Sequence, residues 1–189
     1  MVKAHVDFEI VPGLTSTLAG PEWIGIPITH RDYASSFHVI TGHHKDDGIS
    51  VNWNVLTHEE GTLIFLMGMS HLHQIVTSLI REGKAETTPF AIVQWATQWQ
   101  QNYGVGTLSN IEEVVAECQL SSPPVIIVGE VVQLQKELYH RGKLQGKHLL
   151  MPFVPDSKLA ARFADEGAIV DYYERLKVTP MMPELPDLT

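Results

Sequence analysis

The sequence predicts an α/β fold in which a mixed sheet is flanked by helices. Four short runs of β-branched and aromatic residues, bounded by glycine and proline, are typical of buried strands and lie at 37–42, 62–67, 89–95 and 124–132. Helical patterns lie between them, and this alternation is typical of an α/β layer. The 189 residues are 44% hydrophobic, enough apolar material for one domain or slightly more.

Two helices are predicted between the strands. The first follows Ser70 as N-cap and stops near Gly83; its apolar residues at helical spacing are Leu72, Ile75, Val76, Leu79 and Ile80. The second begins at residues 109–112, SNIE, where a hydroxyl and a carboxylate form a capping-box pattern. Between the third and fourth strands, residues 98–106 are polar and aromatic and then glycine-rich, which favours a hairpin rather than a helix.

The composition changes at residues 141–147, RGKLQGK, a basic joint that contains glycine. A new β-α-β cycle follows it, with a strand at 148–151, a helix at 157–166 and a strand at 169–173. We therefore predict two domains, which consist of residues 1–141 and 142–189.

Composition excludes several classes of function. A net charge of -9, from 22 acidic and 13 basic residues, argues against nucleic acid or anionic lipid as a partner. The single cysteine, Cys118, permits no internal disulfide, and the apolar runs are too short to span a membrane. Residues 1–7 lack the apolar core of a signal peptide, so we expect a cytoplasmic protein.

Other residues that could suggest binding sites favour simpler interpretations. His71 and His73 are two residues apart, which puts them on different faces of a helix, so we expect no metal site. Trp95 and Trp99 lack an accompanying basic groove, which favours packing over nucleic-acid binding.

Seven short runs follow one another over residues 8–140. They are VPGLTS at 11–16, GIPITHR at 25–31, TGH at 41–43, GTLIFLMG at 61–68, AIV at 91–93 with AT at 96–97, GTL at 106–108 and PVIIVGEVV at 124–132. Together they resemble the tetrapyrrole methylases, and among these the uroporphyrinogen-III C-methyltransferases. The resemblance implies the C-terminal domain of a two-domain fold that holds S-adenosylmethionine and a tetrapyrrole in the cleft between its domains.

The resemblance implies that Thr15, Ser16, Met67 and Ala96 bind S-adenosylmethionine. Hydroxyls at a helix start lie beside free backbone N–H groups, although Thr15 could act only as an N-cap. The flexible thioether of Met67 suits packing against an adenine face, although methionine is also common in hydrophobic cores. Ala96 allows close approach of a nucleoside to the backbone, or else close packing.

The same resemblance implies that His30, Arg31 and Tyr33 face the substrate. Uroporphyrinogen III is rich in carboxylates, and the planar guanidinium of Arg31 can pair with one of them in a bidentate way. A structural salt bridge from Arg31 to Asp32 or to another acid is the alternative.

The implied reaction is methylation of uroporphyrinogen III to precorrin-2, on the route to sirohaem and cobalamin. The family's glycine-rich GxGPGD turn and GGDP loop, which carry its acid and base, are missing from the sequence. We therefore expect no catalytic residue here and no activity of the chain alone. The alternatives are another precorrin methylase, or a non-catalytic dimerisation fragment, since these methylases are usually homodimers.

Residues 144–180 resemble the opening of uroporphyrinogen-III synthase, which is fused to the methyltransferase in some bacteria. The synthases usually have a Thr-Arg pair after the first strand, where this chain has Pro152 and Phe153. The resemblance implies a partial synthase-like segment.

Overall fold

The computed structural model describes residues 2–42, 49, 51–140 and 142–173. The chain divides into two compact units, Met1–His140 and Arg141–Thr189, one residue from the boundary expected from the sequence. His43 of the TGH run and the C-terminal part of the predicted second domain lie outside the described residues.

A five-stranded mixed sheet forms the centre of the first unit, as predicted. Its strands are β1 (Phe37–Thr41), β2 (Thr62–Leu66), β3 (Pro89–Gln94), β4 (Asn102–Thr107) and β5 (Pro124–Val128). They lie in the order β1-β2-β5-β3-β4, where β1 and β2 are parallel and every other neighbouring pair is antiparallel. The predicted hairpin is confirmed, because β3 and β4 pair from Pro89 with Thr107 to Gln94 with Asn102.

Five α-helices accompany this sheet in the described part of the first unit. They are α1 (Ser16–Trp23), α2 (Trp53–His58), α3 (Leu72–Arg81), α4 (Ile111–Glu117) and α5 (Gln135–Leu138). Short 3-10 helices lie at Val2–Ala4, Met69–His71 and Glu130–Leu134.

The sheet has a hydrophobic core on each face, because successive side chains of a strand point to opposite sides. On β2, Leu63 and Phe65 pack in one core with residues of α3 and α4. Ile64 packs in the other core with the isoleucines of residues 24–28 and with the 3-10 helix at 130–134. Both faces are therefore covered, which explains why the central strands β2, β3 and β5 are buried along nearly their whole length instead of alternating.

The structure corrects the end of one predicted strand and the start of one predicted helix. The strand predicted at 124–132 ends at Val128, and Gly129, at φ 143°, leads into a 3-10 helix. The helix expected to begin after Ser70 begins at Leu72, because a 3-10 turn includes Ser70 and puts His71 at the N-cap.

The capping box predicted at residues 109–112 is also wrong. Asn110 is the N-cap of α4, and its side-chain oxygen accepts hydrogen bonds from the N–H and the hydroxyl of Thr107 (2.8 and 3.2 Å). The hydroxyl of Ser109 is 2.8 Å from that of Thr107 and does not cap the helix.

The second unit contains the predicted β-α-β order in its described residues. Strand β6 (His148–Pro152) pairs in parallel with β7 (Ile169–Tyr173), and helix α6 (Lys158–Asp165) connects them. The Ser157 hydroxyl caps α6 by accepting from the N–H of Ala160 at 3.3 Å. None of the helices in the described residues has the length and apolar character needed to cross a membrane.

Candidate functional site

A pocket of about 840 Å³ lies at one end of the central strands of the first unit's sheet. The C-terminal ends of β2 and β3 and the N-terminal end of β5 meet there, because β5 is antiparallel to both. Four segments line the pocket: Leu14, Ser16, Ala19 and Gly20; Leu66, Met67 and Ser70; Val93, Trp95, Ala96, Thr97 and Gln98; and Ser122, Pro123, Pro124 and Val125. Three predicted cofactor residues, Ser16, Met67 and Ala96, thus come together from distant parts of the sequence.

The fourth predicted cofactor residue, Thr15, lies at the N-cap of α1 and not among the pocket-lining residues. Its hydroxyl accepts from the N–H of Thr17 at 3.4 Å and lies 2.9 Å from the hydroxyl of Thr17. Thr15 therefore orients the first turn of α1, from which Ser16 lines the pocket.

Three residues that line the pocket have left-handed backbone conformations although none is glycine. They are Met67 at φ 53°, Trp95 at φ 52° and Thr97 at φ 70°. Such conformations are uncommon, especially for a β-branched residue, and they are concentrated at functional sites. The structure thus strains the backbone just after β2 and just after β3, where both strands reach the pocket.

Met67 and Trp95 differ from their simplest sequence interpretations. Met67 is 58% exposed, so its interpretation as an ordinary core residue is wrong. Trp95 is 41% exposed and lines the pocket instead of packing in the core. Trp95 follows the buried run of β3 directly, and that position is the sequence signal that could have identified it.

Gln94, the last residue of β3, bonds to Ser121 and so holds the pocket wall formed by residues 122–124. Its buried side chain donates to the Ser121 hydroxyl at 2.9 Å and accepts from the Ser121 N–H at 3.0 Å. The sequence analysis missed this wall, whose signal was a proline pair, Pro123 and Pro124, at the entry to a buried strand.

The predicted substrate residues lie elsewhere. The carbonyl of Ile28, just before their loop, accepts from the Thr62 hydroxyl at 2.8 Å, at the start of β2. From Thr62 to Leu66, β2 is roughly 13 Å long, because a strand rises about 3.3 Å per residue. Met67 follows its far end. The structure therefore does not place His30, Arg31 or Tyr33 in the pocket.

The loop that carries these residues is a closed turn. His30 and Ala34 exchange backbone hydrogen bonds of 2.9 Å, and the rings of His30 and Tyr33 are 5.2 Å apart. Asp32 lies beside His30, with 3.7 Å between its carboxylate and Nδ1. Arg31 is exposed and forms no ion pair within the described part of the chain, so the alternative salt bridge to Asp32 is not formed.

Comparison with known proteins identifies the family. The model of the tetrapyrrole (corrin/porphyrin) methylases matches residues 1–112. Uroporphyrinogen-III C-methyltransferase of Bacillus subtilis (strain 168) is 38% identical over 168 residues, which cover 86% of this chain and 35% of that protein. Siroheme synthase of Pseudoalteromonas atlantica is 42% identical over 138 residues, 73% of this chain and 30% of that protein.

A solved structure agrees with this assignment. Uroporphyrin-III C-methyl transferase from Thermus thermophilus, complexed with S-adenyl homocysteine, superposes with a TM-score of 0.59 and 29% identity over 70% of this chain and 57% of that one. The chain thus spans about a third of the curated relatives' length and somewhat more than half of the Thermus chain. By the match to its family model, which covers more than half of its residues, this chain belongs to the tetrapyrrole methylases.

Proposed function

We propose that the first unit forms the S-adenosylmethionine-binding side of the cleft in a uroporphyrinogen-III C-methyltransferase. The observation that carries the proposal is the pocket that joins Ser16, Met67 and Ala96. These three residues come from three separate runs that resemble the same family, and the Thermus relative was solved with S-adenyl homocysteine. The volume of about 840 Å³ lies within the range usual for cofactor-sized ligands.

The pocket offers different chemistry at different walls. The hydroxyl and the backbone N–H of Ser16, at the start of α1, suit the amino-acid part of the ligand. Met67 and Trp95 provide polarizable and aromatic surface for the nucleoside, and Ala96 lets it approach the backbone. The reaction moves a methyl group from the sulfonium sulfur to a pyrrole carbon, so the chain's task is to position the donor and exclude water.

We further propose that His30, Arg31 and Tyr33 bind carboxylates of the tetrapyrrole. Arg31 is exposed, and no carboxylate within the described part of the chain neutralises it. In a chain with a net charge of -9, a polyanionic substrate needs such local cations. A tetrapyrrole extends far enough from the reacting carbon to reach a loop that does not line the pocket.

We propose that residues 142–189 are a partial uroporphyrinogen-III synthase-like segment. The B. subtilis alignment covers 86% of the chain, whereas the first unit holds 140 of the 189 residues, so the aligned region extends into the second unit. The parallel β-α-β order supports the proposal. Pro152 and Phe153 replace the Thr-Arg pair of the synthases, and we therefore expect no synthase activity.

Homodimer formation is also part of the proposal. In the first unit, Ile10 is 80% exposed and Val11 is 79% exposed, and apolar surface of this kind favours association. Analytical ultracentrifugation of the chain should give the mass of a dimer. A monomer at all concentrations would contradict this part of the proposal.

Binding and turnover test the main proposal separately. Calorimetry should detect binding of S-adenosylhomocysteine to the 189-residue chain, whereas radiolabelled S-adenosylmethionine should transfer no methyl group to uroporphyrinogen III. A chimera that adds the N-terminal part of the B. subtilis enzyme should gain this transfer. Absence of binding would favour a non-catalytic interaction fragment, and a chimera active only on a later precorrin would favour the alternative methylase.

A further inference from the structure

The wall formed by residues 95–98 has an unusual backbone that needs support. Trp95 and Thr97 both have left-handed conformations, and Thr97 is β-branched. Two turn hydrogen bonds stabilise the segment, from the N–H of Gln98 to the carbonyl of Trp95 and from the N–H of Gln101 to the carbonyl of Gln98, both 3.0 Å. Neither bond involves the N–H of Thr97, so the turn alone does not fix this strained residue.

We propose, on the basis of the proposed function, that Gln101 is a positioning residue that holds this wall in its ligand-binding conformation. Its side-chain oxygen accepts from the N–H of Thr97 at 3.0 Å. Within the described part of the chain, no other acceptor contacts that N–H. The Gln101 side chain is half-buried and itself does not line the pocket, so it acts on a ligand only through the wall.

The other end of the Gln101 amide is anchored on the packed body of the first unit. Its nitrogen donates to the Tyr139 hydroxyl at 3.2 Å. Tyr139 lies edge-on to Tyr103 with 5.4 Å between ring centroids and packs, partly buried, against the core on that face of the sheet. Its backbone is also held, since its N–H donates to the Gln135 carbonyl at 2.9 Å. Gln101 thus connects the strained wall to a fixed residue 38 positions away.

A connection of this kind affects binding through preorganisation. When the wall is held in place before the ligand arrives, binding does not have to restore the left-handed conformations of Trp95 and Thr97. Without the amide, the wall should relax, and the ligand must then order it again. The effect should therefore appear both in the free protein, as faster opening at Thr97, and in weaker binding.

Three variants separate this role from a general loss of stability. Gln101→Met keeps the length of the side chain and removes both hydrogen bonds. Gln101→Glu keeps an acceptor for the Thr97 N–H and can accept from the Tyr139 hydroxyl. Gln100→Met is the matched control, because Gln100 is exposed and its side chain makes no hydrogen bond in the described part of the chain. All three are studied in the 189-residue chain.

The first measurement is hydrogen exchange of the Thr97 amide by NMR, with Ile64 in the centre of β2 as a monitor of global stability. Gln101→Met should speed exchange at Thr97 about fivefold to tenfold, the usual net value of one hydrogen bond, and leave Ile64 unchanged. Gln101→Glu and Gln100→Met should exchange at Thr97 as the wild type does. Unchanged exchange at Thr97 in Gln101→Met, or equally fast exchange in Gln101→Glu, would overturn the proposal.

The second measurement is the affinity for S-adenosylhomocysteine. Gln101→Met should bind it about fivefold to tenfold more weakly and Gln100→Met as tightly as the wild type. An unchanged affinity in Gln101→Met, despite faster exchange at Thr97, would overturn the link to binding. If the wild type itself fails to bind while the exchange pattern holds, the proposed function is wrong and the hold of Gln101 on the wall is supported.

Discussion

Within the described part of residues 6–140, non-glycine residues adopt left-handed backbone at two kinds of position. Met67, Trp95 and Thr97 carry it at the pocket, whereas Gln119 carries it at φ 54° just after α4. At the end of a helix this conformation closes the last turn, and glycine would serve there equally well. At the pocket the same conformation determines which side chains face a ligand. The residue type there therefore matters for binding, and glycine would not serve equally well.

The exposed thioether of Met67 should contribute to binding and little to stability. Met67→Ala should weaken binding of S-adenosylhomocysteine about tenfold, or about 1.4 kcal/mol, through lost contact with the nucleoside. Its free energy of unfolding should change by less than about 0.5 kcal/mol. Met69→Ala is the matched control: Met69 packs against the core and does not line the pocket, so it should lose about 1–2 kcal/mol of stability and keep its affinity. The opposite pattern in calorimetry and urea unfolding would contradict the site.

Gln119→Gly should stabilise the first unit. Gln119 is exposed, and its backbone strain should cost about 1–2 kcal/mol, part of which is offset by the greater freedom of glycine in the unfolded chain. The expected gain is about 0.5–1 kcal/mol in urea unfolding. Gln119→Ala keeps the Cβ atom and should give no such gain. Equal effects of the two substitutions would show that strain at this position is not what limits stability.

Lys84 should make stability depend on pH in the alkaline range. Burial lowers the pKa of its ammonium group below the usual lysine value of 10.5, and the charge of Glu130 opposes this only in part. Between the lowered pKa and 10.5 the unfolded chain binds more protons at Lys84 than the folded chain does, so the contribution of Lys84 to stability rises with pH. At neutral pH Lys84 is charged in both the folded and the unfolded chain, so the cost of burying its charge is then largest.

The stability difference between the wild type and Lys84→Met should therefore move in favour of the wild type as the pH rises through that window. Urea unfolding at several pH values measures it, and Lys136→Met corrects for the lost charge because Lys136 is exposed. The loss of the hydrogen bond from Lys84 to the Thr57 carbonyl, 3.0 Å, adds a constant offset. A difference that does not vary with pH would contradict the prediction.

At the scale of elements, the sequence was most informative where burial alone decides structure. The runs at 62–66 and 89–94 are apolar on both faces of the sheet, so their composition identifies them as strands. It was least informative where hydrogen bonds between short polar side chains decide where an element ends. The pocket shows the same limit: family motifs indicated Ser16, Met67 and Ala96, but the 122–124 wall depends on pairing between β3 and β5 that no local pattern reveals.

The start of α4 gives a direct test of one such end. Asn110→Ala should destabilise the first unit by about 1–2 kcal/mol, because the Thr107 N–H and hydroxyl then lose their acceptor. Ser109→Ala, the matched change next to it, should cost less than about 0.5 kcal/mol, since its hydroxyl meets only the exposed hydroxyl of Thr107. Had the capping box formed, Ser109→Ala would cost the larger amount. Chemical unfolding of the two variants distinguishes the arrangements.

At the scale of the whole molecule, the two units differ in how much core they contain. Both hydrophobic clusters around the five-stranded sheet consist of residues from the first unit. In the described residues 142–173 of the second unit, only Ala160 and Ala168 are fully buried. A parallel pair of strands with one helix buries little apolar surface, and sheets of two strands are marginal on their own. The first unit should therefore carry most of the stability of the chain.

Removal of residues 141–189 should leave the fold and the pocket of the first unit intact. The chain that ends at His140 keeps all residues of both cores and all that line the pocket, so its thermal midpoint should stay within about 3 °C and its affinity for S-adenosylhomocysteine within about twofold. A control that ends at Leu134 also removes α5 and Tyr139, and should bind at least about fivefold more weakly because Gln101 loses its anchor. Circular dichroism and calorimetry measure both effects. Loss of folded structure in the chain that ends at His140 would contradict this prediction. Equal affinity of the two truncated chains would show that the site does not depend on the anchor of Gln101.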